Sequence, residues 1–229
     1  MCGRFTVISD LMTYQLEFDL LIEESIKQNW QARYNISPGQ LIPTVKDAGS
    51  RSLTFMKWGL VPAWAKDEKA NMHLINIRAE TILEKPTFRR LMHAGQRCFI
   101  LADGFYEWQS RPIKGASKIP YYFHLKNGKP FAFAGLWEIG FNSEKQPITT
   151  CAIITCNANA VIASVHNRMP VIFNAPMAWE WLTAKQEQQL LALLKPYPDE
   201  ELVAYPVSNL VNSPAVDMSE CIRPATDEV

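Results

Sequence analysis

Apolar side chains recur at helical spacing near the start of the chain, at Leu11, Tyr14, Phe18, Leu21 or Ile22, and Ile26, and predict an amphipathic helix. Ser9 stands where an N-cap belongs, because its hydroxyl can accept from an early helical N–H. The acids Glu17, Asp19, Glu23 and Glu24 fall mostly off the stripe and read as a solvated face. Ser37-Pro38-Gly39 predicts a turn, and strand-like runs follow at 41–45 and 53–61. A charge-rich loop over 65–71 leads into the run 74–78, and a short helix at 87–94 precedes a strand at 97–102. The aromatic-rich runs 120–125 and 131–137, separated by Asn127-Gly128, predict a β-hairpin. A further strand covers 148–155, and helical stretches at 176–182 and 185–194 are split by Thr183-Ala184. From residue 213 onward the pattern reads as loop and tail. Strands outnumber helices without alternating strictly with them. This predicts an α+β fold, a single domain with a mostly antiparallel, barrel-like β core flanked by helices.

Composition narrows the picture. Lys plus Arg and Asp plus Glu both number 23 in 229 residues, so no global field draws the chain to nucleic acid. Any such site must be a local patch. No apolar run approaches the ~18 residues of a membrane span, and no signal-peptide run follows the N-terminus, so no membrane partner and a cytoplasmic location are expected. The five cysteines, Cys2, Cys98, Cys151, Cys156 and Cys221, are odd in number and point to a reduced interior without a disulfide framework. Cys151 and Cys156 alternate to opposite faces of one strand and make a poor metal pair; with Cys98 they read as small core residues. His73, His93 and His124 share no ligand spacing, so no metal and no cofactor are expected. No long amphipathic stripe is left unassigned, which predicts a monomer.

Chemistry enters at position two. A Met followed by a small residue is the usual substrate for removal of the initiator, which would make Cys2 the mature N-terminus. A terminal cysteine carries an amine of pKa ~7.7–8.0 and a thiol of ~8.5 on adjacent carbons. The amine attacks an aldehyde to give an imine, and the thiol then closes a five-membered thiazolidine.

Four clusters join Met1-Cys2-Gly3-Arg4-Phe5. They are Arg33-Tyr34-Asn35-Ile36-Ser37-Pro38-Gly39, Asn76-Ile77-Arg78-Ala79-Glu80, Asp103-Gly104-Phe105-Tyr106-Glu107-Trp108 and His166-Asn167-Arg168-Met169-Pro170. In this order the set resembles the SOS response-associated peptidase (SRAP) family over about the first three quarters of the chain. The resemblance implies a covalent crosslink between protein and abasic sites in single-stranded DNA, at replication forks, that shields the lesion. It also implies Cys2 as nucleophile, with Asn76, Glu107 and His166 as the other active-site positions. His166 suits proton transfer at the closed sugar because its unperturbed pKa is ~6.5. Glu107 can relay protons at the imine if burial raises its pKa, and Asn76 can orient the amine or a sugar hydroxyl.

Arg4, Arg78 and Arg168 each lie within two residues of one of these groups and are expected to hold phosphate. Trp64 and Trp108 are expected to stack on or wedge between bases, and the resemblance adds Pro38 and Thr155 to the cleft. Trp137, Trp179 and Trp181 are assigned to core packing. Three other readings stay open. One is an N-terminal-nucleophile cysteine amidohydrolase, which also begins Met-Cys-Gly. Another is a thiol (auto)peptidase using Cys2 with His166. The last is a single-strand-binding module without chemistry.

Overall fold

The computed structural model describes residues 2–65, 74–113, 115 and 117–225. Most of the charge-rich loop, His73 and Met1 lie outside the described residues. In chain order the first half carries β1 (Arg4–Val7), α1 (Leu11–Phe18), α2 (Glu24–Asn29), β2 (Arg33–Ile36), β3 (Leu41–Val45), β4 (Thr54–Trp58), β5 (Asn76–Arg78), α3 (Pro86–His93), β6 (Arg97–Ala102) and β7 (Gly104–Gln109). The second half adds β8 (Ile119–Leu125), β9 (Phe131–Phe141), β10 (Pro147–Asn157), α4 (Ala160–Ala163), β11 (Arg168–Pro170), β12 (Ile172–Phe173), α5 (Ala175–Thr183), α6 (Glu187–Leu193) and β13 (Leu202–Pro206).

Every residue of β6 is buried, which only a strand covered on both faces can tolerate. The strand lies in a closed ring. β4 pairs with β3, β3 with β6, β6 with β9 and β9 with β10, all antiparallel, and β10 returns to β4 in parallel. Closure leaves this five-stranded barrel without a free edge in the ring. Gly135 on β9 is required inside it, because a Cβ there would stand 2.6 Å from Ile100 Cδ1 and 2.9 Å from Cys98 Sγ. β10 also carries β5 in parallel and β11 antiparallel, and β12 lies on β9. A second, antiparallel sheet of order β13-β8-β7-β1-β2 packs beside the barrel. The α+β class and the mostly antiparallel barrel core thus follow the sequence reading.

Aromatic rings join the two sheets. Phe133 of the barrel meets Phe5 of β1 edge-on at 5.6 Å and Phe105 of β7 at 6.1 Å. Phe133→Ala should cost about 3–5 kcal/mol, as for other large buried aromatics cut to alanine. Urea unfolding monitored by tryptophan fluorescence checks this, and an unshifted midpoint would remove the ring from the sheet–barrel contact.

Several local expectations are corrected. The first helix stops at Phe18, because Asp19 adopts a left-handed conformation with φ 51° and its N–H bonds Gln15 O. Leu21 is left exposed and bridges Ser52, and a separate α2 follows. The N-cap is Asp10, accepting from Thr13 N–H at 2.7 Å, while the Ser9 hydroxyl is drawn to buried Asp103. The expected hairpin does not form. The turn at Asn127-Gly128 is present, but β8 pairs with β7 and β13, whereas β9 belongs to the barrel. The segment from 213 to 225 is docked and carries a short 3-10 helix at Ser219–Ile222. Asp217 takes the Tyr34 and Asn35 N–H groups and the Arg33 side chain, and Cys221 is fully buried.

Cys98, Cys151 and Cys156 are core residues, as is Trp181, with Trp137 and Trp179 half-buried against the same core. Among the described residues no helix is long and apolar enough to cross a membrane.

Candidate active site

The site forms where the start of β1 in one sheet meets β5, β10 and β11 of the other. Cys2 is fully buried just before β1, and its carbonyl accepts a 2.9 Å hydrogen bond from Asn76 Nδ2. That bond ties the terminal segment to β5, which is itself held in register on β10 through Ile153, Ile154 and Thr155. Asn76 Oδ1 is buried and has no hydrogen-bond partner among the described residues. It is an acceptor in reserve, and such a group is costly to leave idle.

Glu107 reaches the site from β7, which pairs with β1 through Arg4↔Tyr106 and Phe5↔Phe105. The residue is 3% exposed, and burial raises its carboxyl above the ordinary carboxylate range. The Cys2 thiol is pushed far up, first by burial and then by the charge of Glu107. An ionised Glu107 therefore disfavours the Cys2 thiolate.

His166 sits in the turn between α4 and β11. Asn159 caps α4 by accepting from Ile162 N–H, the His166 N–H bonds Ile162 O at 2.8 Å, and Gln109 Nε2 reaches from β7 to Ser164 O at 2.8 Å. The turn is thereby fixed to the strand that carries Glu107. Burial lowers the pKa of the imidazole, and its Nδ1 accepts the Arg168 N–H at 3.0 Å. The neutral ring then carries its proton on Nε2, so His166 is set as a donor rather than a free two-way relay. Lys118, which sequence reasoning passed over, acts electrostatically on both Glu107 and His166. Both side chains therefore share the neighbourhood of one exposed ammonium.

The remaining residues fall into two groups. Arg78, Pro38 and Trp64 are exposed, Trp64 strongly so. Arg4 and Arg168 are instead committed within the protein. Arg4 Nη1 donates to Asn35 Oδ1 at 2.7 Å and its Nη2 to Asn212 O at 3.3 Å. Arg168 is buried, forks onto Glu80 at 2.7 and 2.9 Å, and donates to Thr155 O at 2.7 Å. That fork holds the Glu80 carboxyl below its usual range. Thr155 is wholly buried between Arg168 and Ile77 O. Trp108 is half-buried, its indole N–H donating to Asn212 Oδ1 at 2.7 Å. Glu80 was visible only as a member of its sequence cluster. Nothing in its immediate sequence announced a partner 88 residues away.

Comparison with known proteins adds the lineage. Residues 1–214 match the family described as SOS response associated peptidase, SRAP. The chain belongs to the SRAP family. The abasic site processing protein YoqW of Bacillus subtilis is 43% identical over 232 residues, covering 97% of this chain and 99% of its own. The abasic site processing protein HMCES of Gallus gallus is 34% identical, covering 78% of this chain and 59% of its own. A protein from Bacteroides thetaiotaomicron of known crystal structure shares the fold, with a TM-score of 0.85 at 24% identity, over 98% of this chain and 100% of that one. In this SRAP chain Asn76 touches Cys2, and the charge of Glu107 acts on the Cys2 thiol.

Proposed function

We propose that this protein processes abasic sites in DNA, and that it does so by bonding Cys2 covalently to the open aldehyde of the lesion in a single strand. The reading is supported by SRAP membership, by relatives named abasic site processing proteins, and above all by one contact. The Asn76–Cys2 hydrogen bond holds the terminal residue beside a buried acid.

Loss of Met1 gives Cys2 a terminal amine of pKa ~8. The amine nitrogen attacks the aldehyde carbon, and the carbinolamine oxygen leaves as water once protonated. Glu107, its pKa raised by burial, supplies that proton. As a carboxylate it then accepts the thiol proton while sulfur adds to the imine carbon. One C–N and one C–S bond form, one water departs, and Glu107 ends as it began. Asn76 Oδ1 accepts from the amine or from a sugar hydroxyl. His166 donates from Nε2 to the sugar ring oxygen as the hemiacetal opens. Arg78 and Trp64 offer an exposed guanidinium and ring to phosphate and base, whereas Arg4 and Arg168 lend charge from behind.

The purified protein, mixed with an oligonucleotide carrying a natural abasic site, should give an adduct that survives denaturation. Its intact mass should equal the two reactants less one water. A mixture in which protein and DNA separate completely on a denaturing gel would reject the covalent reading.

A further inference from the structure

Apart from the candidate active site, a cleft of about 680 Å³ opens between the start of β8 and the C-terminal segment. Arg111, Lys118 and Arg223 line it together with Ser117, Ser208 and a single acid, Glu220. Three cations against one carboxylate is a local excess in a chain whose net charge is zero. The volume suits a small polar ligand, and the lining of hydroxyls and guanidinium forks suits phosphate oxygens better than an apolar molecule.

The cleft adjoins the chemistry. β8 pairs with β7 so that Tyr121 lies opposite Glu107 and Ile119 opposite Gln109, which leaves Lys118 just past the end of the same pair. Lys118 is the residue whose charge reaches both Glu107 and His166. The opposite wall, with Glu220 and Arg223, lies beyond residue 214, outside the stretch that matches the family. Arg223 is exposed and spends part of its charge on Glu220 at 3.2 Å.

We propose that this cleft holds the phosphate backbone of the strand flanking the abasic nucleotide, so that the C-terminal segment extends the DNA path beyond the candidate active site. The inference rests on the proposed function, which it deepens by assigning a route to the strand. Arg111 and Arg223 bind phosphate, and Glu220 opposes them.

The test uses a tetrahydrofuran abasic analogue, which lacks an aldehyde and so reads binding alone. Fluorescence anisotropy across a salt series compares a long single strand with a trinucleotide, for the full-length protein and its Arg111→Ala/Arg223→Ala variant. Both side chains are exposed, so the fold should tolerate their loss. The wild type should prefer the long strand. The double variant should lose most of that preference, and its salt slope should fall by about 0.7 per lost contact. Glu220→Gln should act oppositely and tighten the long strand. An unchanged length preference and slope in the double variant, or weaker binding by Glu220→Gln, would overturn the assignment. Crosslinking to a natural abasic site is scored separately. Failure there with the length effect intact removes the chemistry and leaves the cleft, and the reverse removes only the cleft.

Discussion

Cys2→Ala protein yields no denaturation-resistant adduct with abasic single-stranded DNA, whatever the incubation time. The variant keeps a small second residue, so Met1 should still be removed and an amine still presented. The imine can therefore form, but no sulfur follows to close the ring, and the imine hydrolyses. Borohydride should convert this transient species into a stable secondary amine, which separates the role of the amine from that of the thiol. The terminus is not a loose end, since Cys2 is fully buried and its carbonyl is held by Asn76. Cutting the side chain to a methyl should cost about 1 kcal/mol, a typical single-residue effect. Cys2→Ser preserves shape more closely and should give the same result. A full yield of stable adduct from either variant would dismiss Cys2 as the nucleophile.

Glu107→Gln should slow adduct formation by about 10²–10⁴-fold, the usual worth of a positioned acid–base group. Affinity for the tetrahydrofuran analogue should be preserved. The rate of the wild type against pH should be bell-shaped, because the amine must be neutral while the acid still holds its proton. The acid-dependent limb should vanish in Glu107→Gln. The same substitution should stabilise the fold. Burial raises the Glu107 pKa above its unfolded value of about 4.3. The folded state therefore binds the extra proton, and this contribution is full below the unfolded pKa and lost as pH rises through the folded one. At neutral pH the variant should melt at a higher temperature than the wild type, and the gap should close in acid. A rate equal to wild type would remove Glu107 from the relay. A melting gap that persists at low pH would contradict its burial as the cause.

The sequence offered candidate site residues more readily than the path of the chain. Cys2, Asn76, Glu107 and His166 stood out as candidates because each sits in a short cluster whose residue types make chemical sense together. Direction was not legible. Arg4 and Arg168 stand beside proposed catalytic positions in sequence, yet strand alternation and long-range partners such as Asn35 and Glu80 decide where their guanidinium groups go. The Asn127-Gly128 turn was read correctly as local chemistry, but a turn does not say which strands will pair. β9 has eleven residues, buried along most of its length, and the barrel recruits it between β6 and β10 instead. Ser9 and Asp10 are both good caps. Tertiary demand settled the matter, because Asp103 claims the Ser9 hydroxyl. The C-terminal segment looked like a tail because its docking contacts come from distant residues: Asp217 takes the Tyr34 and Asn35 N–H groups, and the Asn35 side chain donates to Ser213 O and Val216 O.

The tie between Cys2 and β5 has a consequence for the order of events during synthesis. Asn76 holds the Cys2 carbonyl from β5, β5 takes its register from β10, and β10 ends at Asn157. At about 5–20 residues per second, that strand leaves the ribosome roughly 8–30 s after the N-terminus does. Methionine aminopeptidase has open access during this interval and loses it afterwards. Purified, folded protein that still carries Met1 should resist the peptidase and become a substrate only when unfolded; ready cleavage of the folded form would contradict the sealing. On the proposed mechanism the nucleophile is made while the chain is nascent, before Glu107 and His166 stand beside it.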